Sequence, residues 1–222
     1  MSKILVWDLP LRLFHWLLVL LVVVSVTSAQ IGGNAMQVHL LSGYTVLTLV
    51  LFRILWGFAG STHARFASFV RGPAAAIAYL RALRSDHATR HLGHNPAGGW
   101  SVILMLAVLL VQAGTGLFAN DDIATEGPLA KLVSKAVSDR ITGIHHLNFK
   151  LLSVLIGLHL AAVAFYLFRK REDLVKPMLT GFKENTATAA GEAATPGRSW
   201  LAALLLTACA GAVYLLIKLP AA

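Results

Sequence analysis

Five stretches of this 222-residue chain are apolar over close to the length of a bilayer, and no other feature restricts the fold as much. They run from Leu11 to Ala29, Val38 to Phe58, Trp100 to Phe118, Leu147 to Phe168 and Trp200 to Ile217. Each is near the ~20 helical residues that cross ~30 Å of hydrocarbon. Hydrophobic residues make up 57% of the chain and charged ones only 13%, against roughly 25% charged in a soluble domain. The sequence therefore predicts an all-α membrane protein with five spans. The first stretch is read as a mature helix rather than a cleaved leader, because Asp8, Pro10, Arg12 and His15 stand where a simple basic n-region would lie.

Orientation follows from the cations, since Lys and Arg in short loops favour the cytoplasmic side. Lys3 and Arg12 lead into the first span, and the segment from Gly57 to Gly99 carries Arg65, Arg71, Arg81, Arg84 and Arg90 against Asp86. The segment from Ala119 to Gly143 instead sets Asp121, Asp122, Glu126 and Asp139 against Lys131, Lys135 and Arg140. After the fourth span come Arg169, Lys170, Arg171, Lys176, Lys183 and Arg198. This pattern places the N-terminus in the cytoplasm and the C-terminus in the periplasm of a bacterial inner membrane. Trp7, Trp56, Trp100 and Trp200 fall near the inner interface, as an aromatic belt would. The formal charge of +9 is spread over those inner loops and has a topological cause, so nucleic acid is not an expected partner. The single cysteine, Cys209, can make neither an intrachain disulfide nor a cysteine-rich cluster site, so redox chemistry requires a bound cofactor.

Residues 1–183 read as a four-helix core, 184–198 as a flexible linker of small polar residues, and 199–222 as an additional C-terminal span. Ile31-Gly-Gly-Asn34 is a short turn that makes the first two spans antiparallel neighbours. In the inner loop, Pro73 to Arg84 predicts a helix with Pro73 in its first turn, either lying on the membrane surface or acting as a solvated connector. Leu129 to Val137 suggests a short helix over the outer end of the bundle.

Histidine in hydrocarbon is costly and marks function by default. His145 and His159 are fourteen residues apart, which brings them to within about 40° of one helix face at depths ~21 Å apart. His15 lies near the inner end of the first span and His39 near the outer end of the second, so His15 can meet His159 and His39 can meet His145. Two imidazoles across a gap suit six-coordinate haem iron, which leaves no open position for oxygen activation. Two such pairs predict two haems with these four histidines as axial ligands. His146 points about 100° away from His145, which favours His145 as the ligand. Gly43, Gly114, Gly116, Gly157 and Ala162 would let a macrocycle, or simply another helix, come close. Arg12 and Arg53 would pair with propionates at the inner haem, or they express the positive-inside bias alone. Lys150 has the same two readings at the outer side, propionate contact or snorkelling. His63, His87, His91 and His94 lie in the inner loop and are expected to be solvated; Gly93, Asn95 and Pro96 argue against a continuous helix that would align three of them on a metal.

These residues resemble the bacterial cytochrome b561 family and the related b-type cytochrome subunits of nickel-iron hydrogenases. The resemblance is carried by Val6-Trp-Asp-Leu-Pro-Leu-Arg-Leu-Phe-His-Trp16, His39-Leu-Leu-Ser-Gly-Tyr44, Phe52-Arg-Ile-Leu-Trp-Gly57, Gly93-His-Asn-Pro-Ala-Gly-Gly99, Thr115-Gly116, Gly143-Ile-His-His146 and Gly157-Leu-His159. It spans about residues 1 to 183 and implies a four-helix core with two b haems held by His15, His39, His145 and His159. It also implies electron transfer between the quinone pool and a partner. Where relatives often carry His-Glu in the fourth helix, this chain has His145-His146. The expected partners are membrane lipid, quinone and a periplasmic c-type cytochrome or hydrogenase-like complex, with homo-oligomerisation left open. Three other readings compete: a stand-alone ferric or superoxide:quinone oxidoreductase, a histidine-lined metal or proton transporter, and a haem-free assembly subunit.

Overall fold

A computed structural model describes residues 3–83, 91–184 and 195–218. A short strand β1 (Lys3–Leu5) leads into α1 (Leu9–Ile31), which a 3-10 turn at Gly33–Ala35 joins to α2 (Met36–Ala59). The inner loop contains α3 (Phe66–Phe69) and α4 (Pro73–Ala82) before α5 (Pro96–Gly116) recrosses the bundle. A 3-10 turn at Ala130–Leu132 precedes α6 (Lys135–Phe168); then come α7 (Val175–Thr180), β2 (Phe182–Glu184) and α8 (Ser199–Lys218). Five of these helices are long and apolar enough to span a membrane, as the hydropathy pattern predicts. His87 and most of the proposed linker lie outside the described residues.

Local chemistry explains where the helices begin. The Asp8 carboxylate accepts from the Leu11 N–H at 2.9 Å and Pro10 sits in the first turn, so α1 starts on a side-chain cap. Asn95 caps α5 in the same way, accepting from the Gly98 N–H at 2.8 Å ahead of Pro96. That cap is the physical reason His91 and His94 share no helix. Between α1 and α2, Gly32 and Gly33 take φ values of 69° and 54°, a left-handed reversal that costs glycine little. α6 extends outward well beyond its apolar stretch. Ser134 caps it, Lys135 and Asp139 pair one turn apart, and no proline interrupts the residues up to Leu147. Its 34 residues make a rod of about 51 Å at 1.5 Å per residue, longer than the hydrocarbon. The helix expected over Leu129 to Val137 is thus split between a 3-10 turn and the first turn of α6.

The spanning helices form a row, α1 on α2, α2 on α5 and α5 on α6, with α8 packed along α2. α2 is the most enclosed span, contributing Val46, Leu49, Val50, Phe52 and Trp56 to the main apolar cluster. Ala202 and Cys209 of α8 join that cluster, while Val213 packs with Leu47, Leu117 and Leu129. Trp56 is fully buried, and its indole N–H donates to the second oxygen of Asp8 at 3.0 Å. One carboxylate therefore caps α1 and pins it to the inner end of α2. The interface role expected for Trp7 and Trp56 gives way to interior packing, whereas Trp100 and Trp200 stay exposed.

A clasp closes the inner end. β1 and β2 pair antiparallel, Val6 and Trp7 donate backbone N–H groups to the Gly181 carbonyl, and Trp16 reaches the Met178 carbonyl at 3.3 Å. Tyr166 on α6 meets the Tyr79 hydroxyl of α4 at 2.8 Å and accepts from Asn95 at 2.9 Å, tying three elements together. Asp8→Ala should remove both the cap and the Trp56 partner and lower stability by about 2 kcal/mol. Asp8→Asn, which retains an acceptor, should lose less than half of that, measured by thermal unfolding of the full chain in detergent.

Candidate cofactor site

The four helix-embedded histidines meet in two pairs. The His15 and His159 ring centroids are 6.5 Å apart with planes inclined by 54°. Those of His39 and His145 are 6.2 Å apart and inclined by 85°. The pairs lie at two levels along α6, and the partner rings come from α1 for His159 and from α2 for His145. All four rings are half-buried. His146 is exposed and turned edge-on to His145.

Hydrogen bonds orient the outer pair. His39 Nδ1 lies 2.9 Å from the Ser25 carbonyl and 3.1 Å from its hydroxyl, so an N–H at Nδ1 donates to α1 and leaves Nε2 with its lone pair. His145 Nδ1 has the same relation to α5, 3.0 Å from the Gln112 carbonyl and 3.1 Å from Thr115 Oγ1. The Gln112 side-chain amide reaches His145 Nε2 at 3.0 Å, and Asn148 donates to the Gln112 side-chain oxygen at 2.7 Å and to the Val108 carbonyl at 3.0 Å. Gln112 and Asn148 had gone unnoticed in the sequence. Their signal was polarity itself, an amide in each of two apolar stretches, and such groups seek each other across helices. Gly116 supplies the room: a Cβ there would stand 3.2 Å from His145 Cε1.

The inner pair has a different setting, short of hydrogen bonds and rich in cations. Arg53 is 1% exposed, and neither Nη1 nor Nη2 has a hydrogen-bond partner; its guanidinium lies over the Phe66 ring, 5.1 Å from the centroid. Arg12 is engaged differently, since it donates to the Leu179 carbonyl of the clasp while its Nε stays buried without a partner. His15 Nδ1 is likewise buried and unpartnered. The expectation that His63 and His94 are solvated is corrected. The loop folds back under the bundle, so that Trp7 packs against His94 at 4.7 Å and His63 at 6.5 Å between ring centroids. Burial drives the His94 pKa down to about 3, and the nearby positive charge of Arg53 and the rings of His63, His159 and His15 add to the shift. His91 is half-buried against Tyr79, and Lys150 is exposed on α6. Among the described residues no group of three or more metal-ligating side chains of the His, Cys, Asp and Glu types comes together.

Apolar spanning helices that turn imidazoles toward each other are the architecture of a membrane electron-transfer protein of the b-type cytochrome class, whose cofactor is haem b. The chain belongs to the prokaryotic cytochrome b561 family, whose family model matches residues 6–181. Similar proteins include a probable Ni/Fe-hydrogenase B-type cytochrome subunit of Azotobacter chroococcum mcd 1, 26% identical over 217 residues, covering 82% of this chain and 89% of the relative. Proteins of the same description from Azotobacter vinelandii and Cupriavidus necator are each 25% identical, covering 82% and 80% of this chain and 89% and 86% of their own lengths. No solved structure matches. The match ends before α8, so that span lies outside the family pattern.

Gly116 gives a direct check on the outer pair. Gly116→Ala should be accommodated by a small shift of the His145 ring, whereas Gly116→Val should cost about 1–3 kcal/mol through overpacking, read as a lower thermal midpoint of the full chain.

Proposed function

We propose that this chain is a di-haem membrane cytochrome that relays electrons between the quinone pool and a periplasmic redox partner. The observation that carries the reading is the ring spacing in the two pairs. An iron bonded to two opposed imidazole nitrogens at the usual ~2.0–2.1 Å separates their ring centroids by roughly 6 Å, and the pairs stand at 6.5 and 6.2 Å. Bound haem b would supply a one-electron carrier at each pair. His15 with His159, and His39 with His145, would provide the axial nitrogens.

The protein's own contribution differs between the two ends. At the outer pair, the Ser25 and Gln112 carbonyls hold the Nδ1 protons, which leaves each Nε2 as the nitrogen with a lone pair and raises the basicity of the ring. The Gln112 amide would turn off His145 Nε2 toward Asn148 when that nitrogen takes a metal. Gly43, one turn from His39, has nothing within 4 Å of its would-be Cβ, which leaves space for a macrocycle face. Near the inner pair, Arg53 supplies buried positive charge for carboxylates, and Arg12, one turn before His15, is held by the clasp. With both imidazoles of each pair given to a bound haem, no position would be left for oxygen, and the chemistry supplied would be electron transfer alone.

The names of the relatives support a hydrogenase complex as the partner. The arginines of the inner loop and the acids around Asp121 support an inner-membrane protein with its N-terminus in the cytoplasm. The outer pair would then face the periplasmic partner. A reduced-minus-oxidised visible spectrum of the purified chain, with a haem-to-protein ratio, tests the reading. Two low-spin b haems per chain are expected, and His39→Ala and His159→Ala should each remove one. A haem-free chain, or retention of both haems in either variant, would overturn the assignment.

A further inference from the structure

Arg53, His63 and His94 present buried donors with nothing to receive them. Arg53 Nη1 and Nη2, His63 Nε2 and His94 Nδ1 are all shut off from solvent without a hydrogen-bond partner. Unpaired buried donors are rare in native structures, and an unpaired buried guanidinium is costlier than a neutral group. The three side chains come from different parts of the sequence but form one continuous cluster. The Arg53 guanidinium lies on Phe66, Phe66 stacks edge-on with Phe69, and the Phe69 and His94 ring centroids are 4.5 Å apart. Trp7 then bridges His94 to His63, and a Cβ on Gly93 would meet His63 Nδ1 at 3.1 Å, so the His63 ring lies against the backbone beside His94.

Among the described residues, the carboxylates of Asp8 and Glu172 near this inner end are already engaged. Both oxygens of Asp8 accept hydrogen bonds, from the Leu11 N–H and from Trp56. Glu172 is paired with Lys183 at 2.6 Å. The cluster therefore has the chemistry of a receptor for carboxylates that none of the described residues supplies, at the end of the bundle where His15 and His159 face each other.

We propose that Arg53, His63 and His94 bind the two propionates of the inner haem, Arg53 with a pair of parallel N–H bonds and the two imidazoles with one bond each. This rests on the reading that His15 and His159 hold a haem. The cluster then does more than anchor the group. Donors and positive charge on the propionates offset negative charge beside the iron and favour the ferrous state, so the inner potential is set by an inner-loop residue, His94, as well as by the axial ligands.

The test is potentiometric titration of the purified full chain, the inner haem being the one that His159→Ala removes. His94→Leu should lower the inner midpoint, with a roughly tenfold shift of the reduction equilibrium, or ~59 mV for one electron, and leave the outer midpoint in place. His94→Gln, which keeps an N–H donor, should recover most of that shift. Reconstitution of the haem-free full chain with haem b dimethyl ester, which has no free carboxylates, should erase the difference between wild type and His94→Leu. Equal inner midpoints in wild type and His94→Leu with ordinary haem would overturn the proposal. So would a difference that survives esterification, or loss of the inner haem from both His94 variants with either form of the group. A wild-type chain that takes up no haem at His15 and His159 is a separate result, visible in the spectrum before any variant is made; it removes the underlying reading and this proposal with it.

Discussion

Hydrocarbon offers nothing to a polar side chain, and the arrangement of this protein follows from how that demand is met. Imidazole, amide and guanidinium groups, among them those of His15, His39, His145, His159, Gln112, Asn148 and Arg53, lie in helices made mostly of aliphatic and aromatic residues. At the outer end the demand is met within the chain. His39 and His145 bond to backbone carbonyls of neighbouring helices, and Gln112 and Asn148 bond to each other. At the inner end, among the described residues, Arg53, His15, His63 and His94 retain buried atoms without partners. The outer half is therefore organised by bonds within the chain, while the inner half rests on ring packing and leaves polar atoms unpaired.

The same contrast explains the packing. α2 sits at the centre with α1, α5 and α8 against it, while α6 leans on α5 and presents His159 to α1 and His145 to α2. Asp8 holds α1 in register with α2, since a single side chain starts α1 and fixes it to Trp56. Loss of that carboxylate would shift His15, which lies seven residues further along the same helix.

Most of the fold was legible because bilayer length and side-chain polarity are one-dimensional properties. The five spans, the tight turn after Ile31, and the pairing of His15 with His159 and His39 with His145 all follow from counting residues along helices. The dependence of α1 on Asp8 was present in Val6-Trp-Asp-Leu-Pro10, but its other half, Trp56, looked like an interface residue. A tryptophan near a helix end is equally suited to a belt or a core, and only the tertiary partner decides. The inner loop was the least legible part. His63 and His94 look solvated in a basic, glycine-containing segment, and nothing local reveals that Trp7 and Phe69 will cover them. The strand pair between Lys3–Leu5 and Phe182–Glu184 was hidden for the same reason, as three-residue strands have no periodicity to read.

That strand pair joins Lys3–Leu5 to Phe182–Glu184, segments far apart in the sequence, and Gly181 beside it receives the backbone N–H groups of Val6 and Trp7. The clasp is thus built from contacts of high sequence separation, and the entropy of closing so long a loop has to be met before they stabilise anything.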